Sequence, residues 1–178
     1  MEFIELEIKG VFLIKPVVHH DERGYFFESF RQDLFEKHIG KIRFVQDNES
    51  YSKKGVFRGL HYQIPPKAQS KLVRVIKGKI MDVVLDLRED SPTFLKYITV
   101  ELSDENKHSL FIPKGLAHGF YTLSEYAIVN YKVDEYYSPE HERGVNVKSI
   151  KLKFTSLLIL SQKDSKLPCL EEWEFSDF

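Results

Sequence analysis

The chain has 178 residues, with 26 Lys+Arg against 27 Asp+Glu and a single cysteine, Cys169. That length supports one substantial core and leaves little room for two, so one domain over residues 1–178 is expected. Near-neutral charge argues against a nucleic-acid-coating surface, one cysteine excludes an intrachain disulfide framework, and no apolar run approaches the roughly 20 residues of a membrane span. Met1–Ile8 alternates apolar with acidic residues and has no basic segment leading into an apolar stretch, so the expected location is the cytoplasm.

In chain order, period-2 alternation dominates. Strands are predicted at Phe3–Ile8 and Val11–Val17, the second closed by the turn-like HHDERG, and at Tyr25–Phe30. RQDLFEKHIG then reads as a helix, with Leu34, Phe35 and Ile39 on one face and Gly40 as its stop. Further strands are expected at Arg43–Val45, Val56–Tyr62, Leu72–Ile76, Ile80–Leu87, Tyr97–Leu102, Ser109–Ile112, Gly119–Leu123 and Ala127–Asp134, with a hairpin at Lys77-Gly78. Many short strands at this spacing indicate a mainly β protein, an antiparallel sandwich or barrel with one or two short helices.

The segment GVFRGLHYQ, Gly55–Gln63, places His61 between Arg58 and Tyr62 in a strand-like run. A protonatable group on a rigid strand points to general-base chemistry, and Lys71 at the head of KLVRVI supplies a cation if both strands line one pocket. Lys71 and Arg74, three apart, point to opposite faces of their strand. Arginine forks such as those of Arg23 and Arg58 suit a diphosphate, and a lysine suits one developing oxyanion. His19, His20, His38, His108 and His141 read as surface residues, whereas His118 lies in FIPKGLAHGF, a Pro/Gly turn leading into a strand. Pro113, Gly115 and His118 resemble the second metal motif of cupins, PxGxxH. The first cupin motif, HxH, reads His61-Tyr62-Gln63 here, and a neutral Gln replaces an imidazole poorly, so no metal is expected. Tyr131 sits within a strand, where a phenol can hand a proton to a carbanion.

The segments DERGYFFESF, QDNESYSKKGVFRGLHYQ, KLVRVIKGKIMDVVLDLREDSPTF, FIPKGLAHGF, the Tyr131 strand and LSQKD resemble, in order and over most of Asp21–Asp164, the dTDP-4-dehydrorhamnose 3,5-epimerase family. The resemblance implies a cupin-like antiparallel jelly-roll β-barrel, a homodimer, no metal or other cofactor, and a dTDP-linked 4-keto-6-deoxy sugar as substrate. Carried over residue by residue, it implies that His61 is the base, Asp164 its orienting carboxylate, Tyr131 the acid on the opposite face and Lys71 the group beside the keto oxygen. Arg23, Glu28, Gln46, Asn48, Arg58, His118 and Glu142 match positions that contact the nucleotide sugar, and Phe26 matches one that stacks on the base. The connector NVKSIKLKFTSLL after ERGV departs from the family pattern and is shorter, so a 3-only or 5-only epimerase, or a ketoisomerase, of another nucleotide-linked keto-deoxysugar remains open. A non-catalytic sugar-binding cupin is the alternative of another class.

Overall fold

The computed structural model describes residues 1–154 and 157–172. Its strands in chain order are β1 (Glu2–Glu5), β2 (Phe12–Lys15), β3 (His19–Asp21), β4 (Gly24–Phe26), β5 (Gln46–Lys53), β6 (Phe57–Gln63) and β7 (Lys71–Lys77). They continue as β8 (Lys79–Asp86), β9 (Tyr97–Ser103), β10 (Ser109–Ile112), β11 (Leu116–Thr122), β12 (Tyr126–Val133) and β13 (Glu142–Gly144). Among the described residues, two short α-helices accompany them, α1 (Gln32–His38) between β4 and β5 and α2 (Gln162–Ser165) after β13. Strands β1-β2-β10-β7-β12-β5 form a six-stranded sheet, β13-β6-β11-β8-β9 a five-stranded one, and β3 and β4 form a separate two-stranded one. The ladders between these strands are antiparallel, a lone parallel bridge joins Val56 to Ile159, and the fold is the mainly β, cupin-like one that the resemblance implies.

Alternation explains how the two large sheets face each other. Val73 and Val75 of β7, Val129 of β12 and Leu110 of β10 meet Ile80 and Val84 of β8 and Leu116 and Phe120 of β11 in one buried cluster. Each such aliphatic side chain contributes about 1.5–3 kcal/mol relative to exposure. The opposite faces are covered separately. Helix α1 sets Phe35 against Phe111, with ring centroids 5.1 Å apart, on the outside of the six-stranded sheet. The segment after β13 lays Val145, Val147, Ile150 and Phe154 over Val83, Leu85 and Tyr121 on the outside of the five-stranded sheet.

Several details differ from the sequence reading: the turn-like HHDERG carries strand β3, and the strand expected at Tyr25–Phe30 ends at Phe26. No strand forms at Arg43–Val45; the chain pairs from Gln46 instead, and β5 escaped notice because its inward residues, Gln46, Asn48, Ser50 and Ser52, are polar. The Lys77-Gly78 corner is not a hairpin, since β7 and β8 belong to different sheets. Gly78 has φ +84°, and a Cβ there would lie 2.1 Å from the Tyr126 carbonyl oxygen, so the corner needs glycine for both conformation and space. Finally, β11 begins at Leu116, which places His118 inside a strand and not in a turn.

Candidate active site

His61 and His118 are direct cross-strand partners on β6 and β11, but the next pairing, Phe120 with Arg58, is out of step by one residue. The irregularity falls at Gly59, φ +119°, where a Cβ would lie 2.6 Å from the Gly119 Cα. In a regular strand, residues three apart face opposite sides. The bulge turns Arg58 and His61 to the same side, and both line one cleft of about 500 Å³ between the sheets. Lys71, His118, Tyr131, Lys163 and Asp164 line it as well. A smaller recess of about 230 Å³, lined by Gln46, Asn48, Gln63, Tyr137 and Glu142, shares His61, Lys71 and Tyr131 with it, so these three sit where the two spaces meet.

Asp164 reaches the cleft from α2. This single turn is capped by Ser161, whose hydroxyl accepts the Asp164 N–H at 3.0 Å. The Asp164 Oδ1 lies 2.7 Å from His61 Nε2, and its Oδ2 accepts the Gly59 N–H at 3.4 Å. Burial pushes this carboxyl up, but the His61 hydrogen bond and charge, with the Gly59 N–H, outweigh burial and hold it below the usual aspartate range. An ionised carboxylate only accepts, so His61 carries its proton on Nε2 and Nδ1 is the nitrogen free to act as base. The connector after ERGV therefore delivers Asp164 to His61 despite its departure from the family pattern; its Thr155 and Ser156 lie outside the described residues.

Lys71 opens β7 on the facing sheet and is buried, donating to the His61 carbonyl at 3.1 Å. Burial pulls its ammonium down to about 8, opposed by the charges of Asp82 and Glu142. It remains mostly a cation at neutral pH. Tyr131 stands on β12, cross-strand from Val73, so it approaches from the sheet opposite His61. Burial raises its phenol above the ordinary tyrosine value, Arg58 opposing, which keeps it protonated and able to donate.

The structure places the remaining expected contacts in two groups. Arg58 donates to Ser52 Oγ at 2.8 Å and to the Tyr51 carbonyl at 3.0 Å. Gln46 donates to Asn48 Oδ1 at 2.9 Å, and Glu142 accepts from Tyr137 at 2.6 Å and Lys163 at 2.5 Å. All of these lie at the cleft or its recess, as does His118. Arg23, Phe26 and Glu28 do not: Arg23 is paired with Asp21 on the exposed β3–β4 hairpin, Glu28 with Arg31, and Phe26 and Glu28 border a separate surface recess with Val17. The Gln63 amide is engaged by backbone, donating to the Lys67 and Tyr136 carbonyls and accepting from the Ser138 N–H. The sequence reading missed Lys163, adjacent to Asp164, and Asp82, a buried acid between Met81 and Val83 of β8 that bonds His118 Nε2 at 2.8 Å. In each case the signal was local: a cation beside a chemical carboxylate, and a charge breaking an inward apolar row.

A base held by a carboxylate, a buried cation and a protonated phenol on the far wall can move protons to and from carbon beside a carbonyl. The family model described as dTDP-4-dehydrorhamnose 3,5-epimerase matches residues 5–172. The dTDP-4-dehydrorhamnose 3,5-epimerase of Salmonella typhimurium is 49% identical over 177 residues, covering 97% of each chain. The crystal structure of the Legionella pneumophila dTDP-6-deoxy-D-glucose-3,5-epimerase in complex with dTDP-4-keto-L-rhamnose is 43% identical with TM-score 0.92, covering 97% of this chain and 94% of that one. That of the Bacillus anthracis dTDP-4-dehydrorhamnose 3,5-epimerase with TDP and pyrophosphate bound is 46% identical with TM-score 0.90, covering 95% and 99%. The chain thus belongs to the dTDP-4-dehydrorhamnose 3,5-epimerase family, and it is an isomerase.

Proposed function

We propose that the chain converts dTDP-4-dehydro-6-deoxyglucose to dTDP-4-dehydrorhamnose by inverting C-3 and C-5 in the cleft around His61. The observation that carries this reading is the placement of the His61–Asp164 pair and Tyr131 on facing sheets with Lys71 buried between them. His61 Nδ1 takes the proton from a carbon flanking the C-4 ketone, and the electron pair moves onto the ketone oxygen as an enolate. Tyr131 then gives a proton to the same carbon from the other face, inverting it. Imidazole, with a pKa of about 6.5, is weaker than the enolate it must form by roughly ten units or more, at about 1.4 kcal/mol each. The base alone cannot close that gap, so the Lys71 ammonium, held in a low-dielectric cleft, stabilises the oxyanion. One ketone acidifies both neighbouring carbons, which lets one site serve two centres. A proton is removed and a proton returned, so the reaction is redox-neutral and requires no electron acceptor.

Arg58, with its fork at the cleft, suits the diphosphate, and His118, Gln46, Asn48 and Glu142 complete the contacts with the nucleotide sugar. Arg23, Glu28 and Phe26 fit that role only if a second copy supplies them, since they do not line the cleft of their own chain. We therefore place them in a homodimer, in keeping with the exposure of Val17, Tyr25 and Phe26 on and beside the β3–β4 hairpin. Residues 1–178 form one domain in this reading. Among the described residues no helix is long and apolar enough to cross a membrane. A soluble nucleotide-sugar substrate supports a cytoplasmic site of action.

The test is incubation with dTDP-4-keto-6-deoxyglucose in deuterated water, followed by NMR of the product. Deuterium at both C-3 and C-5 is the expected result. Label at one carbon makes the protein a single-centre epimerase, and label at neither removes the epimerase reading.

A further inference from the structure

Among the described residues, three buried side-chain oxygens have no hydrogen-bond partner: Ser50 Oγ, Asp82 Oδ2 and Thr122 Oγ1. Of these three residues only Ser50 lines the cleft of His61, Lys71 and Tyr131. A buried hydroxyl without a partner has given up its bonds to water and received none in return, which a fold tolerates where a ligand supplies the missing partner.

The register of β5 fixes where that hydroxyl stands. Residues two apart on a strand share a face, about 6.6 Å from each other, so Asn48, Ser50 and Ser52 form one inward row. At one end of the row Asn48 pairs across the ladder with Tyr131. At the other, Ser52 Oγ accepts from Arg58 Nε at 2.8 Å and so holds the fork that suits the diphosphate. Ser50 stands midway, opposite Val129, which offers it no side-chain polar group. The substrate has the same order: C-1 carries the diphosphate, C-3 exchanges its proton, and C-2 lies between them. A 4-keto-6-deoxyhexose has two free hydroxyls. The one on C-3 changes face when that carbon is inverted, whereas the one on C-2 keeps its place throughout, as a fixed wall group requires. A serine hydroxyl turns between staggered χ1 wells, and an oxygen with no partner loses none by turning toward the sugar.

We propose that Ser50 is a specificity-determining residue: its hydroxyl hydrogen-bonds the sugar 2-hydroxyl, so that a 2-deoxy sugar is selected against. The inference rests on the epimerase reading of the cleft and deepens it by naming which hydroxyl of the sugar is read. A site built to bond a hydroxyl discriminates against the analogue that lacks it, because its own polar group is then left unpaired.

The experiment compares, by isothermal titration calorimetry, dTDP-6-deoxyglucose with its 2-deoxy counterpart in the wild type and in Ser50→Ala. Both probes carry a 4-hydroxyl in place of the ketone, so neither turns over. The wild type is expected to bind the 2-deoxy probe at least about tenfold more weakly, and Ser50→Ala to bind it no more than about threefold more weakly. A wild type that binds the two probes equally, or a preference that Ser50→Ala keeps, overturns the proposal. A hydroxyl without a partner holds nothing together in the free protein, so Ser50→Ala should melt no more than about 4 °C below the wild type. A larger fall, or a variant that does not fold, shows that the hydroxyl is committed within the protein and also overturns the proposal. Binding needs no turnover, so the two readings fail separately. Equal binding of the probes beside deuterium at C-3 and C-5 in the exchange assay removes only the Ser50 assignment, and label at neither carbon removes the reaction.

Discussion

Asp164 and His61, 103 residues apart in sequence, meet at 2.7 Å through Oδ1 and Nε2, and this contact assigns the base nitrogen of the imidazole to Nδ1. Replacing the carboxylate by an amide, Asp164→Asn, leaves the shape and removes the preference for the Nε2–H tautomer. We expect kcat to fall by roughly 10²–10⁴ with a smaller change in KM, the range typical of a histidine deprived of its orienting acid. Steady-state kinetics at pH 7 check this. An Asp164→Asn enzyme with near wild-type kcat would mean that the pair is only structural.

The same carboxyl gives a stability prediction with a definite sign. Its folded value lies below the ordinary 3.8, so its contribution is complete above that value and is lost as pH falls through the folded one. The melting-temperature gap between wild type and Asp164→Asn should be open at pH 6 and narrow in strong acid, as followed by circular dichroism.

Lys71 behaves in the reverse manner. With its ammonium drawn from 10.5 down to about 8 by burial, the folded protein releases a proton between those values that the unfolded chain retains. The cost of burying this charge is full below about pH 8 and is relieved as pH rises toward 10.5. Activity moves the opposite way, since the enolate needs the cation: kcat should decline along an alkaline limb near pH 8. Lys71→Met is expected to melt higher than wild type at pH 7 and to lose at least about 10²-fold in kcat. A melting temperature below the wild type would show that the cation stabilises the fold.

Tyr131 donates from the wall opposite His61. Tyr131→Phe should therefore continue to exchange substrate hydrogen with deuterated water while accumulating little inverted product, by NMR. Product of wild-type stereochemistry at wild-type rate would remove its role as the acid.

Gly59 has no side chain to react, yet it turns Arg58 and His61 to one face. Gly59→Ala would set a Cβ 2.6 Å from the backbone of Gly119 at φ +119°, so we expect a loss of several kcal/mol in chemical denaturation or a protein that does not fold. A variant as stable as the wild type would show that the bulge accommodates a side chain.

These residues also show what the sequence could and could not disclose. The apolar rows of β7, β8 and β12 were legible because alternation is a local signal, and Ser109–Ile112 was placed to the residue. Strand β5 was not, because its inward side chains face a polar cleft and carry no apolar period. The bridge from one sheet to the other at Gly78 was mistaken for a hairpin because turn residues report a reversal of direction and not the pairing that follows it. His61, Lys71 and Tyr131 stood out by residue type and strand context and Asp164 by the resemblance, and their convergence is a tertiary fact that spacing along the chain does not contain. Arg23, Phe26 and Glu28 matched the same pattern but lie away from the cleft of their own chain.

The most direct test of the account is solvent exchange by His61→Ala. Wild type and variant are incubated with dTDP-4-keto-6-deoxyglucose in deuterated water, and loss of the C-3 and C-5 proton signals is followed over time. The account predicts exchange at both carbons in the wild type and a fall of at least about 10²-fold at both in the variant. Exchange by His61→Ala near the wild-type rate would contradict the assignment of His61 as the base.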